Sequence, residues 1–101
     1  MRYEVKFPAN SIEKKFDKTL SKIPRISTQD EIMGAVEKLA DNPCPYGKKV
    51  FKKLRPLVRF YQFTAQYRIR IGNYRVLYDV DDKRKIVWIL ALRKRGERTY
   101  K

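Results

Sequence analysis

The chain has 101 residues, of which 25 are Lys or Arg and 11 are Asp or Glu, so its formal net charge is +14. A hydrophobic fraction of 43% is enough for a single folded domain, residues 1–101, with one modest core, and it excludes global disorder. No apolar run approaches the roughly 18 residues that cross a bilayer, so we expect a cytoplasmic protein without membrane contact.

The first residues predict a short strand and a helix. Polarity alternates in "RYEVKF", residues 2–7, which favours a strand that ends at Pro8. Apolar residues then recur at spacings of four, four and three up to Ile23, which is the period of one helix face. Asn10 or Ser11 is the predicted N-cap, because either side chain can accept a hydrogen bond from a free backbone N–H group.

A second helix is predicted over residues 29–41. Thr28 is its predicted N-cap, and Glu31, three residues later, would complete a capping box. The segment "DNPCPYG", residues 41–47, then breaks the chain with two prolines and a glycine. Its cysteine, Cys44, is the only one in the chain, so it cannot form an internal disulfide, and no metal site is predicted around it.

The second half of the chain predicts an antiparallel meander. A basic connector, residues 48–56, leads to strands over residues 58–71, 74–80 and 86–92, which are joined by tight turns. The last strand is apolar almost throughout, as a central strand covered on both faces would be. The resulting order, β-α-α-β-β-β, predicts a small α/β sandwich of the α+β class. Its two N-terminal helices pack on one face of the antiparallel sheet, and the other face is partly open.

Positive charge is concentrated in this second half. Residues 1–47 hold 8 basic and 7 acidic side chains, whereas residues 48–101 hold 17 basic and 4 acidic ones. Such a field attracts a polyanion, either nucleic acid or acidic lipid, and an acidic protein would satisfy it as well. Neither zinc-ligand spacing nor a glycine-rich nucleotide loop is present, so we expect no cofactor and no metal.

Arginines on the predicted open face favour RNA as the polyanion. Arg68 and Arg70 share one face of their strand, and Arg75 lies just across the turn. Like charges gathered on a sheet lower its stability, so a structural purpose is a poor explanation for them. A guanidinium donates two hydrogen bonds to a phosphate, and the neighbouring tyrosines offer flat surfaces on which unpaired bases can stack. The aromatic residues of "RFYQF", residues 59–63, could also form a stacking platform, although their alternate spacing favours core positions.

The same face could cleave RNA. In such a reaction a base takes the proton of the 2′-hydroxyl, which attacks the neighbouring phosphorus, and arginines can stabilise the charge that develops there. The chain contains no histidine, so Tyr, Lys, Arg, a carboxylate or a partner must move the protons. A cluster of arginines lowers the pKa of a tyrosine within it, because a positive field favours the phenolate. Tyr100 is therefore a candidate acid–base group.

The order of motifs resembles a known family. A strand and a helical pair precede "KKLR", "YRIRIGNYRVLYDV", "KIVWILAL" and a basic tail that ends in Tyr. This arrangement resembles the RelE/ParE superfamily of toxins from toxin–antitoxin pairs, most clearly in the strand–turn–strand segment. The resemblance implies a small, often acidic antitoxin, encoded adjacently, that wraps the toxin and inactivates it. RelE-type members cut messenger RNA in the ribosomal decoding site, whereas ParE-type members poison DNA gyrase without cutting RNA.

The resemblance to RelE-type members implies specific residue roles. Arg75 and Arg95 would stabilise the transition-state phosphate, and Tyr100 would help to activate the 2′-hydroxyl, with the tail position open between Arg95 and Lys94. The implied catalytic set is Arg68, Arg70, Arg75, Arg95 and Tyr100. Basic residues around this set are predicted to bind RNA, and they are Lys48, Lys49, Lys52, Lys53, Arg55, Lys94 and Arg98.

Our first hypothesis is a metal-independent, ribosome-dependent mRNA endonuclease, either monomeric or in a complex with its antitoxin. Two departures keep alternatives open, because the tail lacks the histidine of many relatives and its strand has arginines where RelE has lysines. The alternatives are a ParE-like gyrase inhibitor and a non-catalytic RNA-binding protein descended from a toxin. In addition, the segment "PLVRFYQFTAQ", residues 56–66, is longer than is usual in the family.

Overall fold

The computed structural model describes residues 2–95 of the chain. Its elements are β1 (Glu4–Lys6), α1 (Asn10–Ser21), α2 (Ile26–Lys38), β2 (Phe51–Phe60), β3 (Phe63–Ile71), β4 (Tyr74–Asp81) and β5 (Ile86–Lys94). The strands form one sheet in the order β1-β5-β4-β3-β2, and both helices pack on it. The predicted α+β class, with two N-terminal helices on a meander, is confirmed. Neither of these helices is long and apolar enough to span a membrane.

The sheet differs from the expected one at both edges. β1 pairs with β5 in parallel, with Glu4 opposite Ile86, so the sheet is mixed. Alternating polarity identifies a strand but not its direction, which depends here on the long helical connection that follows β1. The strand predicted over residues 58–71 is two strands, because a turn at residues 61–62 separates β2 from β3. At the other edge, most of the predicted basic connector belongs to β2, which pairs antiparallel with β3. Its charged residues concealed this strand, because an edge strand that faces solvent can be built from lysines.

In both helices the N-cap residue lies earlier in the chain than predicted. The N-cap of α1 is Ala9 and that of α2 is Arg25, and neither makes a side-chain capping hydrogen bond. Asn10 and Ser11 therefore lie inside the first turn of α1. The capping-box prediction for α2 is also wrong, because Thr28 lies in the first turn, where its N–H group donates to the carbonyl of Arg25 at 3.1 Å.

The early start of α2 has a local cause. Gln29 donates a side-chain hydrogen bond to the carbonyl of Ile23 at 2.8 Å, which ties the first turn of α2 to the end of the preceding segment. Pro24 fixes its own φ between the two helices, and Arg25 enters α2 from an extended conformation. The helix therefore runs over residues 26–38 rather than 29–41.

The main hydrophobic cluster fills the space between the helices and the sheet. Phe16 and Ile32 of the helices belong to it together with Val76 and Tyr78 of β4, and each of these side chains is at most 2% exposed. Residues between them on the strand point to the other face, as the period of two requires. Burial on this scale supplies most of the stabilisation available to so small a domain.

A second cluster covers part of the opposite face. Leu77 of β4 and Ala91 of β5 lie opposite each other, and they are 0% and 6% exposed. Val58 of β2 and Ala65 of β3 belong to the same cluster. The face that the sequence predicted to be partly open is thus closed over its centre.

This cover comes from the outer half of the β2–β3 hairpin, which bends over the sheet. We call residues 57–66 the hairpin arch. The ring of Phe60 lies 5.4 Å from the guanidinium carbon of Arg93 on β5, although β3 and β4 separate the two strands within the sheet. At the tip of the arch, the hydroxyl of Tyr61 accepts a hydrogen bond from Lys15 of α1 at 2.7 Å. The arch therefore reaches across the sheet to the first helix.

We expect Tyr78→Phe to weaken the tie between β4 and the loop before β2. Tyr78 is fully buried, and its hydroxyl donates to the carbonyl of Pro43 at 2.6 Å. The change leaves a buried acceptor without its partner, so the free energy of unfolding should fall by about 1–2 kcal/mol. Urea denaturation followed by circular dichroism measures this, with Tyr74→Phe, at a half-buried position on the same strand, as the control. Equal stability of Tyr78→Phe and the unchanged protein would contradict the hydrogen bond.

Candidate nucleic-acid interface

Three arginines lie directly opposite one another on neighbouring strands. Arg70 of β3 is in register with Arg75 of β4, and Arg75 is in register with Arg93 of β5. Directly opposed residues point to the same face, with Cα atoms roughly 4.5–5.5 Å apart. The three guanidinium-bearing side chains therefore start from one line across the sheet, on the face opposite the helices. We call these three residues the arginine row.

Arg68 adds a fourth guanidinium at one end of the row. It lies on the same face of β3, opposite Leu77. The carbonyl of Val50 accepts both the backbone N–H of Arg70, at 2.9 Å, and Nη1 of Arg68, at 3.0 Å. This shared acceptor holds the Arg68 guanidinium beside the Arg70 end of the row.

The two predicted tail residues that the structure describes, Lys94 and Arg95, differ in position. Lys94 lies opposite Tyr74, so its side chain points away from the row. Arg95 is exposed just beyond β5, and its backbone N–H donates to the carbonyl of Asn73 in the β3–β4 turn. Sequence reasoning missed Arg93 because the strand was predicted to end two residues too early, at Leu92. If the alternation of side chains had been continued past Leu92, Arg93 would have been placed on the same face as Arg75.

The predicted basic connector is also divided. Lys52 lies opposite Arg68 and shares its face, whereas Lys53 lies opposite Tyr67, on the face toward the helices. The remaining members are exposed in the turn before β2 or at the break in its pairing, and they are Lys48, Lys49 and Arg55. Of the connector lysines within β2, only Lys52 therefore lies beside the row.

Two predicted site residues, Arg98 and Tyr100, lie outside the described residues. Of the tyrosines on the strands beside the row, Tyr67 and Tyr78 point toward the helices. Burial raises the pKa of both phenols, and nearby Cys44 adds to the effect. Both hydroxyls therefore stay protonated, and they lie on the face of the sheet opposite the row. Neither is placed to act as a base on RNA.

Acidic side chains within the described sheet are engaged elsewhere. Asp79 accepts a hydrogen bond from the side-chain amide of Gln66 at 2.7 Å. Three ion pairs of the described residues lie away from the row, and they are Arg2–Asp41, Lys6–Glu4 and Arg84–Asp81. Over the same residues, no group of three or more His, Cys, Asp and Glu could hold a metal ion. The row is thus a concentrated positive surface suited to phosphate oxygens.

We expect Arg70→Gln to stabilise the isolated protein. Directly opposed like charges repel, so removing one should raise the free energy of unfolding by a few tenths of a kcal/mol at low salt. The gain should shrink as salt screens the remaining charges. Arg59→Gln, opposite Thr64 in the hairpin arch, is the control for loss of an exposed arginine. A loss of stability on Arg70→Gln that is the same at every salt concentration would show that the row is not repulsive.

Comparison with known proteins relates the chain to toxins. A family model described as the ParE toxin of the type II toxin–antitoxin system parDE matches residues 11–99. The chain is 31% identical to a protein in the crystal structure of the archaeal RelE–RelB complex from Pyrococcus horikoshii OT3, with a TM-score of 0.70 over 96% of this chain and 99% of that one.

Two further solved structures are similar to the chain. One is the toxin–antitoxin complex RelBE2 from Mycobacterium tuberculosis, with 27% identity and a TM-score of 0.51 over 94% of this chain and 100% of that one. A mutant of the E. coli toxin RelE in the free state shares 14% identity, with a TM-score of 0.50 over 96% and 86% of the two chains, which shows the fold alone. No curated protein sequence matches the chain.

Proposed function

Because the chain belongs to the RelE/ParE superfamily of toxins from type II toxin–antitoxin systems, we propose that it is a RelE-type toxin that cleaves messenger RNA on the ribosome and stops translation. The arginine row is the observation that carries this proposal. Arg70, Arg75 and Arg93 lie directly opposite one another on three strands. Directly opposed like charges are unfavourable in a sheet, and a bound phosphate would offset that cost.

The row suits the charge that develops during RNA cleavage. Once a base has taken its proton, the 2′-oxygen attacks the neighbouring phosphorus while the bond from phosphorus to the 5′-oxygen breaks. An acid protonates the leaving 5′-oxygen, so the products are a cyclic 2′,3′-phosphate and a 5′-hydroxyl. Negative charge grows on the phosphate oxygens as the five-coordinate state forms. Arg75, at the centre of the row, and its neighbour Arg93 are spaced so that two guanidinium groups can hold one phosphate. The arginines supply the positive charge, so the proposed reaction needs no metal.

Proton transfer needs another type of residue. Arginine keeps its proton at any relevant pH, so Arg68 and the three arginines of the row can only stabilise charge or tune neighbouring groups. We assign activation of the 2′-hydroxyl to Tyr100, as the resemblance to RelE-type members implies, since a phenol within a cluster of arginines has a lowered pKa. Arg95 and Arg98 would contact flanking phosphates. Among residues 2–95, no tyrosine of β3 or β4 competes for the role of base, because each points away from the row.

The proposed partners follow from the charge and the relatives. A positively charged half-chain is drawn to the negatively charged decoding site of the ribosome, which places the proposed action in the cytoplasm. Two similar toxins were solved in complexes with antitoxins. We propose that this chain is likewise neutralised by a cognate antitoxin, encoded adjacently, whose acidic residues cover the arginine row. Co-expression with the product of the adjacent reading frame should give a complex that no longer cleaves RNA.

Gyrase inhibition is a second candidate, because the matching family model bears the ParE name. A gyrase inhibitor need not hold a phosphate, so the arginine row would be incidental to its action. Expression of such a toxin would induce a DNA-damage response while leaving messenger RNA intact. Sequencing of transcript ends after induction separates the two candidates.

Primer extension on a defined mRNA, with and without purified ribosomes, tests the proposal directly. We expect cleavage only in the presence of ribosomes and only within the codon in the decoding site. Equal cleavage in both samples would contradict ribosome dependence. No cleavage by folded protein in either sample would contradict the nuclease assignment and favour gyrase inhibition or simple binding.

Single substitutions in the row should separate catalysis from binding. Arg75→Ala and Arg93→Ala should each slow cleavage on the order of 100-fold or more, because each removes a preorganised donor to the transition state. Arg84→Ala, an exposed arginine in the β4–β5 turn, is the matched control and should cleave at the unchanged rate. Single-turnover rates at saturating ribosome concentration measure the effect. Rates for Arg75→Ala within a few-fold of the control would remove the row from the reaction.

A further inference from the structure

An exposed tyrosine lies at the end of the arginine row. Tyr61 is at the tip of the hairpin arch, next to Phe60, whose ring lies 5.4 Å from the guanidinium carbon of Arg93. Tyr61, Lys15 of α1 and Arg93 line the same small cavity of about 30 Å³. The positive charge of Arg93 adds to the effect of Lys15 in lowering the pKa of the Tyr61 phenol, as expected of close neighbours. The row therefore continues from Arg93 to a tyrosine and a lysine.

The aromatic residues of the arch have separate positions. Phe60 and Phe63 are half-buried and pack against the second hydrophobic cluster. Tyr61 between them is 67% exposed. Core formation therefore explains the two phenylalanines but leaves the tyrosine without a packing purpose.

The ring of Tyr61 is fixed at its hydroxyl and open on its faces. The Lys15 ammonium nitrogen is 2.7 Å from the hydroxyl oxygen and 5.2 Å from the ring centroid. The second distance is nearly the sum of the first and the distance from the centroid to the oxygen. The ammonium therefore lies beyond the hydroxyl, close to the line of the C–O bond, and not over the ring. No ring of residues 2–95 stacks on Tyr61.

The backbone at this position is also unusual. Tyr61 has a φ of 56°, in the left-handed region that non-glycine residues seldom occupy. The two-residue turn between the paired residues Phe60 and Phe63 requires a positive φ at its first central position, although that conformation is unfavourable for a tyrosine. Here it presents a large aromatic side chain to solvent while Lys15 restrains its far end.

We propose that Tyr61 is a stacking platform for an unpaired nucleobase of the RNA whose phosphate binds the arginine row. This inference rests on the proposed function and adds a base-binding subsite to it. Every nucleobase has a flat face, so the subsite accepts any base and contributes affinity rather than sequence preference. Lys15, at the hydroxyl end of the ring, and Arg93, which lines the same cavity, suit phosphates near the stacked nucleotide.

Binding to non-cleavable RNA tests the inference without depending on catalysis. A short 2′-O-methyl oligonucleotide and an abasic oligomer of the same length and charge are titrated against the protein by fluorescence anisotropy at one fixed salt concentration. Tyr61→Leu should weaken binding of the base-containing oligomer roughly ten-fold and leave the abasic oligomer unaffected. Tyr61→Phe, which keeps the ring, should bind both oligomers nearly as the unchanged protein does.

Two controls make the result specific to this ring. Tyr46→Leu removes an equally exposed tyrosine, 71% exposed, from the turn region before β2 and should change neither affinity. Thermal unfolding of each variant confirms that it is folded. Unchanged binding by Tyr61→Leu, or an equal loss with Tyr61→Phe, would overturn the stacking role, even if the protein cleaves mRNA. Base-dependent binding in a protein that does not cleave would instead support the subsite and reject the nuclease.

Discussion

Three directly opposed arginines can lie side by side in this sheet only because apolar packing holds their strands together. Arg70, Arg75 and Arg93 are directly opposed on three strands, an arrangement that a sheet stabilised only by its own pairing would resist. Here apolar clusters on both faces hold β4 and β5 in place. Leu77, two residues from Arg75 on the same face, is wholly buried, so the charged line borders directly on the second cluster.

The hairpin arch connects this packing to the candidate site. By bending over the sheet, it covers the second cluster, and the same bend brings Phe60 beside the guanidinium of Arg93. Without this bend, the arch would not cover Leu77, and Phe60 would not pack beside Arg93 at the end of the row. The arch therefore completes the core, and it carries Tyr61 to the edge of the basic surface.

Local patterns predicted most of the fold and two of the three arginines of the row. The strand–turn–strand segment placed Arg70 and Arg75 on one face, since alternation and a tight turn leave little freedom of register. The parallel pairing of β1 and the bend of the arch depend on contacts between distant residues, which no local pattern contains. Arg93 was missed because a charged strand end resembles a tail. Tyr61 was grouped with its phenylalanine neighbours because spacing alone cannot distinguish a buried ring from an exposed one at a hairpin tip.

A structure of the protein bound to a ribosome with a non-cleavable mRNA in the decoding site would test the central claim most directly. We expect one phosphate of the decoding-site codon to lie within hydrogen-bonding distance of the guanidinium groups of Arg75 and Arg93. A complex in which the row faces away from the mRNA, with the codon phosphates bound by other residues, would contradict it.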